Sequence, residues 1–72
     1  NMEKTCKTTI QEIKKNLKGS GYVTLSVEQE IWDQGTKLSK PHNIEVDPKY
    51  IEVEVTNLYS LGYTVTYISQ AK

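Results

Sequence analysis

The sequence has no arginine and no phenylalanine, a single cysteine, and only two prolines and four glycines in 72 residues. Without arginine, the bidentate grips that read phosphate, carboxylate or guanine are out of reach. With Cys6 alone no intramolecular disulfide can form, which suits a reducing compartment. No apolar run approaches the roughly 18 residues of a membrane span. The first residues, where Glu3 sits among lysines and threonines, lack the apolar centre of a signal peptide. The expectation is a cytoplasmic protein that does not enter a membrane. An excess of one charge is missing as well, because nine lysines balance nine acids. That balance argues against a general phosphate binder and against an acidic mimic of DNA, since either needs a strong field of one sign.

The charge that is present is unevenly spread. Residues 1–18 carry five lysines against two glutamates, net +3, whereas residues 45–54 carry four acids against Lys49, net −3. Between them Glu28, Glu30 and Asp33 stand with no cation within residues 28–33. A chain of this length makes one domain, 1–72, in which Met2 reads as the natural start and Asn1 as a terminal remnant. Below about 80 residues a single core rarely contributes more than about 3–5 kcal/mol of net stability, so a homodimer or another partner would help. The Lys-rich, Arg-free composition also fits an AT-rich coding genome.

Asp47-Pro48 is a helix-start signal: the carboxylate can accept orphan N–H bonds, and proline gives up an N–H that would lack a partner anyway. Ile51, Val55 and Leu58 then follow at i, i+4 and i+7, and Leu61-Gly62-Tyr63 supplies a stop. The same residues contain a rival pattern. Ile51, Val53 and Val55 alternate with Glu52 and Glu54, as in a strand, but both end signals favour the helix. Tyr63 to Ile68, rich in β-branched and aromatic residues, reads as a strand.

Earlier in the chain, Cys6, Ile10, Ile13 and Leu17 are spaced 4, 3 and 4 apart, an apolar stripe on a helix from about Glu3 to Lys18 that Gly19-Ser20-Gly21 ends. Cys6 on that stripe reads as a small buried hydrophobe, with no base near it in sequence to make it a nucleophile. Tyr22 to Val27 alternates Val23, Leu25 and Val27 with Tyr22, Thr24 and Ser26, the pattern of a half-buried strand. Beyond it the sequence allows a short helix opened by Ser26-Val27-Glu28-Gln29, or a hairpin turning at Asp33-Gln34-Gly35; the hairpin is favoured because both flanks tolerate extended structure. Pro41-His42-Asn43 is a second turn signal, with Ile44 to Val46 a short edge strand.

A shift of 41 residues lays Ile10 on Ile51, Leu17 on Leu58, Gly21 on Gly62 and Tyr22 on Tyr63, as if one helix–Gly–Tyr–strand unit occurred twice. The expected fold is α+β, a small two-layer sandwich in the order α-β-hairpin/loop-α-β, with two helices on one face of a twisted sheet of two to four strands. A parallel right-handed crossover is the default link between the first and last strands. The other sheet face would show Tyr22, Thr24 and Ser26 with either Tyr63/Tyr67 or Thr64/Thr66. An aromatic set there would resemble a stacking surface for single-stranded nucleic acid, a reading that the neutral composition disfavours.

Trp32 is the most suggestive single residue. It could anchor in a partner's pocket, as tryptophan often does, or fold back over one end of a thin core. With Glu28, Glu30, Asp33 and Lys37 it forms the candidate binding segment. His42 alone lacks companion ligands for a metal and reads as a surface histidine. Glu28/Glu30 and Glu52/Glu54 read as solvated edges. No nucleophile–His–acid set, phosphate loop or paired cysteine is present, so neither enzymatic activity nor a cofactor is expected.

The two helix-to-strand junctions, Leu17 to Val23 and Leu58 to Val65, give the chain a resemblance to very small α/β proteins encoded by phages and mobile elements of low-GC Gram-positive bacteria. That resemblance implies a protein-binding inhibitor of a host defence system, of the kind that includes anti-CRISPR proteins, acting in the host cytoplasm. The alternative is a nucleic-acid-associated or regulatory protein using the Lys-rich first helix.

Overall fold

The computed structural model describes residues 10–71. Its elements are α1 (Ile10–Asn16), β1 (Val23–Glu28), β2 (Trp32–Asp33), β3 (Thr36–Lys37), β4 (His42–Val46), a 3-10 turn (Pro48–Tyr50), α2 (Ile51–Ser60) and β5 (Thr64–Gln70). The chain is therefore α+β, with a three-stranded sheet ordered β4-β1-β5 and a separate two-stranded hairpin, β2-β3. The amino-terminal part of the expected first helix, with Cys6, lies outside the described residues.

The rival patterns over Ile51–Val55 resolve in favour of the helix, although the Asp47-Pro48 signal opens the 3-10 turn Pro48–Tyr50 and α2 itself starts at Ile51 without a side-chain cap. Asp47 stays extended, at φ −63° and ψ 131°, while its Oδ1 accepts the Lys49 N–H at 3.0 Å and Pro48 occupies the first turn. At the other end the Gly62 N–H donates to the Tyr59 carbonyl (3.0 Å) and the Tyr63 N–H to the Leu58 carbonyl (2.9 Å). This double bond pattern closes a helix when the residue after the cap is left-handed, and Gly62 has φ +90°. Val53, the residue that made the strand reading competitive, points outward and is 60% exposed. In the first unit the left-handed residue is Gly19, φ +69°, rather than the Gly21 that the internal alignment places on Gly62.

The first and last strands do pair, but antiparallel, which corrects the expected parallel crossover. β4 intervenes: it leaves β1 in the reverse direction and pairs with it from Val23↔Val46 to Val27↔His42. Since β4 and β5 each run antiparallel to β1, they are parallel to one another, and α2 links them across the strand that separates them. The helical connection joins parallel strands after all, with β4 rather than β1 as its first strand. His42 and Asn43 belong to β4 and only Pro41 remains outside it, so the second turn signal is correspondingly shorter than expected.

Val23, Leu25 and Val27 are buried as their alternation required, and they share one core cluster with Ile13 of α1, Ile51 and Val55 of α2, Val46 and Val65. Register then decides which set the polar face carries. Leu25 lies opposite Tyr67, which turns that tyrosine to the core side, while Ser26 lies opposite Thr66 and Glu28 opposite Thr64. Thr24 and Ser26 also face Glu45 and Asn43 of β4. The polar face thus carries threonine, serine and asparagine with Glu28 and Glu45, and not the Tyr63/Tyr67 pair.

Candidate functional site

The hairpin stands apart from the sheet, and its turn reverses the chain in two residues. Gln34 and Gly35 have φ +51° and +82°, both left-handed, as a turn matched to strand twist requires. Glycine takes that conformation without penalty. Asp33↔Thr36 and Trp32↔Lys37 pair directly, and the Leu38 N–H to Ile31 carbonyl bond (2.8 Å) extends the ladder by one pair. The Ser39 hydroxyl closes the base by accepting the Ile31 N–H at 3.1 Å.

Alternation gives this ribbon two different sides. Trp32 and Lys37 occupy one. Ile31 and Leu38 occupy the other, where with Gln29, Ser39, Lys40, His42 and Tyr63 they line a cleft of about 330 Å³. Its wall is apolar, from Ile31, Leu38 and Tyr63, and its rim is polar. His42 reaches it from the end of β4, and Gln29 Nε2 reaches toward the Leu61 carbonyl at 3.4 Å.

Lys37 ties the first side down. Its Nζ lies 2.5 Å from Glu28 Oε2 and 3.9 Å from Glu30 Oε2. The hydrogen bond to the Glu28 carboxylate raises the Lys37 pKa above the ordinary lysine value, with partial desolvation opposing it and the charges of Glu28 and Glu30 adding to it. The Glu28 side chain is only 16% exposed, which corrects the reading of Glu28/Glu30 as a solvated pair: the hairpin folds Lys37 onto Glu28. Beside it the Thr64 hydroxyl donates to the Glu28 carbonyl at 3.1 Å. Lys37 alone offsets part of the acidic character expected around Trp32, and Asp33 sits at the turn outside that pairing.

Trp32 does not fold back over the core. It is 59% exposed, and Ile31 and Leu38, 48% and 56% exposed, leave a second apolar surface on the opposite side. Of the residues proposed from sequence, the structure brings Lys37, Glu28 and Glu30 together, sets Trp32 opposite Lys37 in the ladder and places Asp33 beside the turn.

The chain matches no protein-family model, no curated protein and no solved structure. The site must therefore be read from its own chemistry. Among the described residues no three or more of His, Cys, Asp and Glu are grouped so as to hold a metal ion. Nor is any helix among them long and apolar enough to cross a membrane.

Sequence reasoning missed Ile31, Leu38 and Tyr63 as site residues. The first two were within reach. Placed symmetrically about Gln34-Gly35, they become cross-strand partners as soon as the two-residue turn is assumed. Tyr63 joins them only through the tertiary path of α2.

Proposed function

We propose that this chain is a small, non-enzymatic protein-interaction module that docks a partner protein through the β2-β3 hairpin. The observation that carries the reading is the exposed apolar set Ile31, Trp32 and Leu38 on a ribbon that contributes nothing to the core cluster. Large apolar side chains held in the open on a braced hairpin suit recognition better than stability, and tryptophan is enriched among binding hot spots. In this reading the two helices form one layer over the core side of the sheet, and the hairpin projects from one end of it. The resemblance to phage-encoded inhibitors gives the docking its biological form, a host defence protein blocked in the host cytoplasm.

The test is a pull-down from host lysate with the full chain, followed by reconstitution with the captured protein. A stoichiometric complex weakened at least tenfold by Trp32→Ala, with Val53→Ala as an exposed control that leaves it intact, is the expected result. A complex indifferent to Trp32→Ala overturns the docking site. Retention on heparin that collapses with salt would instead support binding of nucleic acid through the lysines of residues 1–18.

A further inference from the structure

The three-stranded sheet has two edges, and they are treated differently by the sequence. The β4 edge follows Pro41, contains Glu45 and runs into Asp47. Proline and charge are the usual means by which an edge is kept from pairing with another chain. β5 has neither. It is the longest strand among the described residues, seven residues reading Thr-Val-Thr-Tyr-Ile-Ser-Gln, without a charge, a proline or a glycine. Its composition favours extended structure throughout. Among the described residues it pairs with β1 on one side only. Alternate N–H and C=O groups along its other side face away from the sheet, and Thr66, Ile68 and Ser69 are exposed.

We infer that this edge is a self-association surface, on which β5 of a second copy pairs antiparallel about a two-fold axis to make a continuous six-stranded sheet. The occupant follows from the side chains. A strand with no charge places no like charges opposite one another when it meets its own copy, whereas β4 beside β4 would bring Glu45 and Asp47 of both chains together. A two-fold contact uses the same patch on both partners, which needs only this self-compatibility. The bulge that sets Ile68 out of register with β1 confines regular pairing to Thr64–Tyr67, the stretch before it. With eight buried hydrophobic residues among those described, so small a chain has reason to gain from the added sheet.

Sedimentation velocity on the full chain across a concentration series tests this. The mass should rise from 8.2 kDa toward twice that value. Thr66→Lys combined with Ile68→Lys, both at exposed positions, should hold it at the monomer value with an unchanged far-UV spectrum, and Trp32→Ala should associate as the parent does. If the double variant does not fold, hydrogen exchange on the parent decides: protection of β5 amides should increase with protein concentration while that of β4 amides stays constant. A parent that remains monomeric, a dimer that survives the lysines, a dimer lost in Trp32→Ala, or β5 exchange independent of concentration each overturns the inference.

Discussion

Leu25 in β1 and Leu38 beside the hairpin have the same side chain and opposite surroundings. Leu25 is fully buried at the centre of the core cluster, whereas Leu38 is more than half exposed on the wall of a cleft. The contrast extends to their neighbourhoods. Around Leu25 every inward position of the strand meets an aliphatic partner from a helix or an adjacent strand. Around Leu38 the ribbon is held by a turn, the backbone pairs from Asp33–Thr36 to Ile31–Leu38 and an ion pair to Glu28. One region holds its shape by excluding water and the other by local geometry, which leaves the second free to present apolar surface.

The sharpest way to break this comparison is to truncate both leucines. Leu25→Ala should cost about 2–5 kcal/mol, the sum of lost transfer energy and a cavity that cannot fully collapse. For a domain of this size that approaches the whole net stability, so the variant should be largely unfolded by circular dichroism. Leu38→Ala should stay within about 0.5 kcal/mol of the parent in a urea titration. Equal losses would mean that the hairpin is part of the core.

Two glycines sharpen the comparison further, since Gly62 and Gly35 have nearly the same φ, +90° and +82°. A Cβ meets nothing within 4 Å at either position, so backbone strain is the whole effect. Gly62→Ala should destabilise the fold by about 1–2 kcal/mol, because the left-handed residue closes α2. Gly35→Ala carries similar local strain, but its cost should fall on the hairpin alone. Exchange of the Leu38 amide should accelerate while the global unfolding transition stays within about 0.5 kcal/mol of the parent.

These effects also show what was legible before the structure. The α+β class, the buried face of β1 and the end of α2 could be read because each rests on local chemistry, alternation and a glycine that must be left-handed, whereas the capping aspartate marks the 3-10 turn that precedes α2 rather than α2 itself. The strand directions could not. They depend on β4, whose five residues hold little pattern beyond Ile44 and Val46, and its insertion beside β1 reverses what the flanking unit suggested. The site was half legible for the same reason. Trp32 announced itself and the Asp-x-Gly turn fixed the ribbon, but pairing of Lys37 with Glu28 and the approach of Tyr63 and His42 to Leu38 are tertiary facts.

A smaller effect probes the boundary of the body. Asp47→Ala removes the acceptor for the Lys49 N–H and should cost about 1 kcal/mol, as helix-start acceptors generally do. Its signature should be confined to the first turn before α2, with Leu38 exchange unaffected. A change in the hairpin amides would show that the two regions are coupled through β4.

The smallest expected effect concerns the charged contact between Lys37 of the hairpin and Glu28 of β1. Lys37 donates to Glu28, and this raises its pKa above the ordinary lysine value. A raised ammonium pKa means that the folded chain holds the proton more tightly than the unfolded one. The stabilisation is complete below the unfolded lysine value and disappears as pH climbs through the raised one. Carbon-13 titration of the Lys37 Cε should therefore show a midpoint above that of an unstructured lysine. In Glu28→Gln, which keeps the shape of the side chain and removes its charge, the midpoint should fall. The urea midpoint at neutral pH should barely move, because a lysine this open to solvent is well screened. An unchanged Lys37 midpoint in Glu28→Gln would break the tie, leaving the hairpin positioned only by its backbone and by the Gln29 contact with Leu61.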